Sequence, residues 1–136
     1  MIAPAEITPA QSAVRTLLII DDDVSVTDTF ARILKLEGFR VATALSADAG
    51  LELAGNLLPD GILVDLRMPI TSGLEFVRHV RSRPHLASTP VAIVTGDYFL
   101  PDTTQRELTL LGATVRFKPL VLEDLVSLAR TLISPP

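Results

Sequence analysis

The feature that most constrains this chain is a five-fold alternation of short apolar runs with segments of helical period. The runs fall at residues 16–20, 39–44, 61–64, 91–94 and 114–117. The first, third and fourth contain no polar residue beyond Thr16. Uninterrupted apolar runs of this length suit parallel strands covered on both faces, because a strand with one wet face alternates polar with apolar. The intervening segments repeat every three to four residues. Val26, Phe30, Ile33 and Leu34 share one helical face, as do Ala47, Leu51, Ala54 and Leu58. Ser72 with Glu75 forms a capping box ahead of Val77 and Val80. Pro101 suits the first turn of a fourth helix, with Leu108 and Leu111 facing inward. Val121, Leu125, Leu128 and Leu132 mark a fifth. Gly38 and Gly112 stand where helices should stop.

Strict β–α alternation predicts an open α/β sheet with helices on both faces, a doubly wound fold. Right-handed crossovers leave few strand orders. Precedent among doubly wound sheets, rather than this sequence, supplies the expected flavodoxin-like (βα)5 order, 2-1-3-4-5. The 136 residues fit one domain, and 48 % apolar content is enough for a packed core. The expected division is a flexible tail over residues 1–14, one domain over 15–133, and a short tail or linker start over 134–136. No apolar run approaches the length of a membrane span, and residues 1–11 lack the pattern of a secretory signal. Absence of cysteine excludes disulfides and thiolate metal sites and suits a reducing compartment, so the cytoplasm is the expected location. A net charge of −4 argues against a broad nucleic-acid face.

In such a sheet, ligands bind beyond the carboxyl ends of the strands. Strand one ends in Asp21-Asp22-Asp23, strand three in Asp65, strand four in Thr95-Gly96, and strand five in Lys118-Pro119. Lys118 is one of only two lysines in the chain. Any one of these residues reads most simply as a cap or a surface charge; their joint placement at four strand ends does not. Two carboxylates about 4 Å apart repel by roughly 4 kcal/mol at an effective dielectric near 20, so such a cluster takes up a proton or a cation. All-oxygen ligands favour Mg²⁺, Mn²⁺ or Ca²⁺. Few protein ligands and vacant water positions favour Mg²⁺, completed by a substrate phosphate. A carboxylate nucleophile, fixed positive charge and a hydroxyl donor are the parts that phosphoryl transfer needs.

The stretches 17–23, 59–69 with Ser72-Gly73, 94–96 and 117–119 resemble, in this order, the motifs of response-regulator receiver domains of two-component signalling. The resemblance covers residues 15–133. It implies that Asp65 is the phosphoacceptor, that Asp22 and Asp21 join Asp65 and the backbone carbonyl of Arg67 around Mg²⁺, and that Thr95 and Lys118 contact the phosphoryl oxygens. Mn²⁺ could replace Mg²⁺. Asp23 is expected to be a helix cap or rim charge, and Lys118-Pro119 a cis peptide. The implied phosphodonor is the phosphohistidine of a histidine kinase or a histidine phosphotransfer protein. The implied output is altered binding of a downstream protein, with a homodimer through the helix 4/strand 5/helix 5 face as a further expectation. Beyond its own phosphoryl transfer and autodephosphorylation, no enzyme activity is expected.

The chain departs from the family pattern in three features: the stretch from Gly112 to Lys118 is one residue shorter than usual, that from Thr95 to Gly112 is about two longer, and the third concerns an aromatic position. Three residues before Lys118 the family usually carries an aromatic residue that moves on phosphorylation; here Val115 stands there. Tyr98 and Phe99, in a connection longer than usual, are candidate substitutes. Arg67 and Asp97, each two residues past a strand-end residue, are expected to flank the acyl phosphate and to shield it if they pair. His79 and His85 read as surface residues. Two rivals share parts of the pattern. A haloacid-dehalogenase-type phosphatase would carry a second Asp where Arg67 stands, and the acid triplet would repel a flavin phosphate.

Overall fold

Side chains along the inner strands divide between two cores, and this explains their unbroken apolar character. The computed structural model describes residues 14–134. It contains β1 (Thr16–Ile20), α1 (Val24–Leu36), β2 (Arg40–Ala44), α2 (Ala47–Leu57), β3 (Gly61–Val64), α3 (Gly73–Ser82), β4 (Val91–Thr95), α4 (Asp102–Leu110), β5 (Thr114–Phe117) and α5 (Leu122–Ile133). The sheet is parallel, in the order β2-β1-β3-β4-β5. The doubly wound α/β fold and its strand order are those expected.

Leu18, Ile20, Ile62, Val64, Val91 and Ile93 point to one face, where Leu51 and Ala54 of α2, Phe76, Val77 and Val80 of α3, and Leu108 of α4 cover them. Leu17, Ile19, Leu63, Ala92 and Val94 point to the other, against Phe30 and Leu34 of α1 and Leu125 and Leu128 of α5. Fully burying one such side chain stabilises the fold by about 1.5–3 kcal/mol. The edge strand β5 is only partly covered, which matches its more polar sequence.

Helix ends follow local chemistry. Asp23, Ser46 and Ser72 cap α1, α2 and α3 through side-chain oxygens that accept backbone N–H groups, and Ser72 and Glu75 complete the expected capping box. Gly38 and Gly112 follow α1 and α4 with φ of 96° and 71°. That left-handed conformation is costly for a residue with a Cβ.

Several boundaries differ from the sequence reading. Phe39 precedes β2: its N–H donates to the Leu34 carbonyl at 3.1 Å, closing α1, while its side chain is buried beneath the helix. Pro101 and Val121 are N-caps rather than helical residues, and neither helix has a side-chain cap. Leu58 leaves the α2 face: it is the C-cap, at φ 49°, and exposed. Val14 and Ser134 are described, but residues 1–13 and 135–136 of the two expected tails lie outside the described residues. Among the described residues no helix is long and apolar enough to cross a membrane.

Candidate functional site

Sheet register brings the strand-end residues together. Ile20 pairs with Val64, so Asp21 and Asp65 leave adjacent strands side by side. The Asp65 N–H donates to the Ile20 carbonyl at 2.9 Å, and the Asp21 N–H to the Ala44 carbonyl at 3.1 Å. Thr95 pairs with Phe117, and the Lys118 N–H donates to the Thr95 carbonyl at 2.8 Å. Both carboxylates and the lysine therefore leave backbone held by sheet or sheet-like hydrogen bonds.

The Lys118 ammonium lies 2.6 Å from Asp21 Oδ2 and 3.8 Å from Asp65 Oδ2. Asp21 is 3 % exposed and Asp65 9 %, whereas Asp22 is exposed. One carboxylate oxygen from each of Asp21, Asp22 and Asp65 lies within 4.8 Å of the other two. Burial raises the Asp65 carboxyl above its ordinary range; Lys118 opposes that shift, and Asp21 and Asp22 add to it. One ammonium facing three carboxylates leaves an excess of negative charge. With only oxygen donors, that excess suits a hard divalent cation. The residues thus fit Mg²⁺ or Mn²⁺.

Asp23, the third acid of the triplet, turns away from this cluster. Its Oδ1 accepts the Ser25 N–H at 2.9 Å and the Ser25 hydroxyl at 2.6 Å, and those bonds lower its carboxyl pKa. It is the helix cap expected from sequence. Its own N–H donates to Asp21 Oδ1 at 2.9 Å, which fixes the orientation of that buried carboxylate.

Thr95 is fully buried. Its Oγ1 accepts the Asp97 N–H at 3.1 Å, which leaves its own hydroxyl hydrogen for another acceptor. A methyl group added at Gly96 would meet nothing within 4 Å, so the space beside Thr95 is open. Lys118-Pro119 is cis.

Two loops meet across this rim. Arg67 Nε and Nη2 donate to Asp97 Oδ2 at 2.8 and 2.5 Å, while Asp97 Oδ1 accepts the Phe99 N–H at 3.1 Å. The Arg67 guanidinium, with the Phe99 N–H assisting, holds the Asp97 carboxyl below its ordinary range. The two residues thus pair, the condition on which shielding was expected. Val115 packs against the core between the sheet and α2–α4, so no aromatic ring stands at that position. His79 and His85 are on the surface, as expected.

Two contacts escaped the sequence reading. Gly73 opens α3 directly above the end of β3: a Cβ there would stand 2.3 Å from the Asp65 carbonyl oxygen and 2.9 Å from the Leu66 Cα. Its position just after the N-cap Ser72 was visible, but the closeness of the Asp65 backbone was not. The Tyr98 hydroxyl donates to the Lys118 carbonyl, and its ring stacks on Phe117 with centroids 5.5 Å apart. Phe99, its neighbour, is 90 % exposed.

Fold and rim together define a doubly wound α/β protein with an acidic, lysine-braced pocket at the carboxyl end of its sheet. The sequence profile of the response regulator receiver domain matches residues 17–130, and the chain belongs to that family. It is 31 % identical over 117 residues to the transcriptional regulatory protein PrrA of Mycobacterium tuberculosis, covering 86 % of this chain and 49 % of PrrA. It is 30 % identical over 114 residues to the regulatory protein AtoC of Escherichia coli, covering 84 % of this chain and 24 % of AtoC. The chain thus spans half or less of the length of these curated relatives. Among solved structures, the chemotaxis protein CheY4 of Vibrio cholerae superposes with a TM-score of 0.81 at 28 % identity, covering 88 % of this chain and 99 % of CheY4. A response regulator from Chloroflexus aurantiacus gives a TM-score of 0.79 at 25 % identity, covering 89 % of this chain and 98 % of that one. The match identifies the chain as a receiver domain of the response-regulator type.

Proposed function

We propose that Asp65 accepts a phosphoryl group from the phosphohistidine of a histidine kinase or a histidine phosphotransfer protein. The observation that carries this reading is the Lys118 ammonium bridging Asp21 and Asp65 at the rim of the sheet, with Asp22 completing the acid cluster. A carboxylate oxygen of Asp65 attacks phosphorus as the phosphorus–nitrogen bond of the donor breaks. The bonding pair leaves with the imidazole, which takes up a proton. Lys118 and the Thr95 hydroxyl stabilise charge on the equatorial phosphoryl oxygens. Asp21, Asp22, Asp65 and the Arg67 backbone carbonyl are the residues assigned to hold Mg²⁺. When bound, the metal ion neutralises phosphoryl oxygens and offsets repulsion within the acid cluster. The unit proposed to do this spans residues 15–133.

The acyl phosphate then shifts a pre-existing equilibrium between binding surfaces. The proposed output is altered docking of a downstream protein, with the face built from α4, β5 and α5 as one candidate surface for a partner or a second copy. The proposed setting is the cytoplasm. Transfer to water closes the cycle as autodephosphorylation at the same centre. Family membership and Arg67 at the second position after Asp65 both disfavour the phosphatase rival.

Incubation with acetyl phosphate and Mg²⁺ tests the reading. The expected result is a mass gain of one phosphoryl group, lost in Asp65→Asn and on chelation of the metal. A wild-type protein that gains no mass, or an Asp65→Asn variant that gains as much, ends it.

The Arg67–Asp97 bridge carries a second prediction. It joins the loops that follow Asp65 and Thr95, where it can screen the acyl phosphate from attacking water. Asp97 has its carboxyl held down by Arg67 and stays ionised at neutral pH. Exposed pairs contribute little energy, so the effect is steric and modest. Arg67→Ala and Asp97→Ala should each speed loss of the phosphoryl group by roughly two- to fivefold. Decay of the phosphorylated mass after removal of acetyl phosphate measures this, and identical half-lives would refute it.

A further inference from the structure

The chemistry assigned to Lys118 depends on how firmly its backbone is held, because an ammonium on a four-carbon stem is otherwise a wandering charge. Its N–H side is fixed by the bond to the Thr95 carbonyl. Its carbonyl side is fixed by Tyr98, whose hydroxyl donates to it. The Tyr98 ring also stacks on Phe117, the residue immediately before Lys118, with ring planes 29° apart.

Tyr98 belongs to the loop that leaves Thr95, and that loop is tied along its length. The Asp97 N–H donates to the Thr95 hydroxyl oxygen, the Phe99 N–H donates to Asp97 Oδ1, and Arg67 holds Asp97 Oδ2. Thr95 and Lys118 are thus joined twice: directly through the sheet hydrogen bond, and again through the loop by way of Tyr98. Tyr98 is 57 % exposed, yet both its polar atom and its ring are engaged. Phe99, one residue on, is nearly fully exposed and takes part only through its backbone.

The geometry points to Tyr98 as a positioning residue for Lys118: it clamps the strand end from which the ammonium reaches Asp21 and Asp65, and couples that strand end to the loop carrying Thr95. This inference rests on the proposed acceptor role of Asp65. Transition-state charge is stabilised only by groups already in place, so a loosened Lys118 slows transfer without changing the nucleophile. A rearrangement of Thr95 or Lys118 around a bound phosphoryl group must also change the surroundings of Tyr98.

The chain contains a single tyrosine and no tryptophan, so its tyrosine emission reports Tyr98 alone. The test follows phosphoryl gain by mass, in acetyl phosphate and Mg²⁺, for the wild type, Tyr98→Phe and Phe99→Ala, and emission alongside it for the wild type and Phe99→Ala, which keep the tyrosine. Wild-type emission should change in step with phosphoryl gain. Tyr98→Phe keeps the ring and loses the hydroxyl, and should be phosphorylated about fivefold more slowly at a near wild-type thermal midpoint, the effect of one neutral hydrogen bond. Phe99→Ala should match the wild type. A Tyr98→Phe variant that reacts at the wild-type rate overturns the inference, as does constant emission while the wild type is phosphorylated. A rate loss matched by an equal loss of stability assigns Tyr98 to folding alone and overturns it too. If the wild type gains no phosphoryl group, the acceptor role itself fails and the inference falls with it.

Discussion

Gly73→Ala is expected to destabilise the protein by about 3 kcal/mol and to impair phosphorylation as well. The added methyl would stand 2.3 Å from the Asp65 carbonyl oxygen, 2.9 Å from the Leu66 Cα and 3.1 Å from the Asp65 carbonyl carbon. All three are backbone atoms, so no side-chain rotation relieves the clash. Either α3 must lift off the sheet or the end of β3 must move. Lifting α3 would loosen Phe76, Val77 and Val80, which are fully buried in the larger core. Moving the strand end displaces the Asp65 carboxylate from Lys118 and from the acid cluster. The Gly73 N–H bond to the Leu66 carbonyl, 2.9 Å long, is strained in both cases. A loss of that size lowers the thermal midpoint by roughly 10 °C in a domain of this length, and leaves a marginally stable protein folded but weakened. Thermal and urea unfolding check the prediction; a midpoint within error of wild type would mean that α3 yields without cost. Gly50 provides a contrast. There the nearest atoms belong to the Ile20 side chain, which can rotate, so Gly50→Ala should cost less despite a similar 2.4 Å approach.

Lys118→Ala should slow phosphorylation by roughly 10²- to 10³-fold, the usual effect of deleting one preorganised charge-stabilising donor. Its effect on stability runs through Asp21. That carboxylate is almost wholly buried and is bonded to Lys118 at 2.6 Å; without the ammonium it keeps the Asp23 N–H as its side-chain partner. Breaking a buried pair from one side costs up to about 3–5 kcal/mol, and a cost below that range is expected here because Lys118 is about one quarter exposed. The deletion also leaves three carboxylates with no facing cation. Mg²⁺ should therefore bind the variant more tightly than the wild type, and saturating Mg²⁺ should recover much of the lost stability. The pH dependence in metal-free buffer has a definite sign. The Asp65 carboxyl is already raised, and losing the opposing influence of Lys118 raises it further. A carboxyl whose folded value lies above its unfolded one binds more protons in the folded state across the interval between them. The variant should thus gain stability relative to wild type as pH falls through that interval towards the ordinary carboxylate value. Paired thermal melts with and without Mg²⁺ decide the matter: equal midpoint shifts in wild type and variant would contradict it.

Much of this architecture was readable in one dimension. The strands β1, β3 and β4 announced themselves because burial on both faces removes every reason for a polar residue. The helices announced themselves through spacing and caps, and Asp23 and Ser72 took the capping roles their types suggest. The boundary errors all fall on apolar residues beside an element. Phe39 serves the core from a turn, whereas Pro101, Val121 and Leu58 are exposed residues at helix ends, where apolar spacing alone does not separate a cap from the helix it adjoins. The nearness of Arg67 and Asp97 was legible because each stands two past a strand end and neighbouring strand ends share a rim; that they pair was decided by the fold. Tyr98 was singled out only as one of two aromatic candidates. The difference between a hydroxyl seated on the Lys118 carbonyl and an exposed Phe99 depends on the path of one loop.

Sequence by itself determined the order of elements, the burial of the sheet on both faces, and the chemical types gathered at its carboxyl end. Those follow from local periodicity, which records how each residue partitions between water and core. Tertiary structure alone decided the distances: which carboxylate oxygen meets Lys118 from 97 residues away, how burial and its neighbours raise Asp65, and why no Cβ fits at Gly73. These depend on strand register and helix docking, where a shift of one ångström changes an interaction without altering any pattern along the chain.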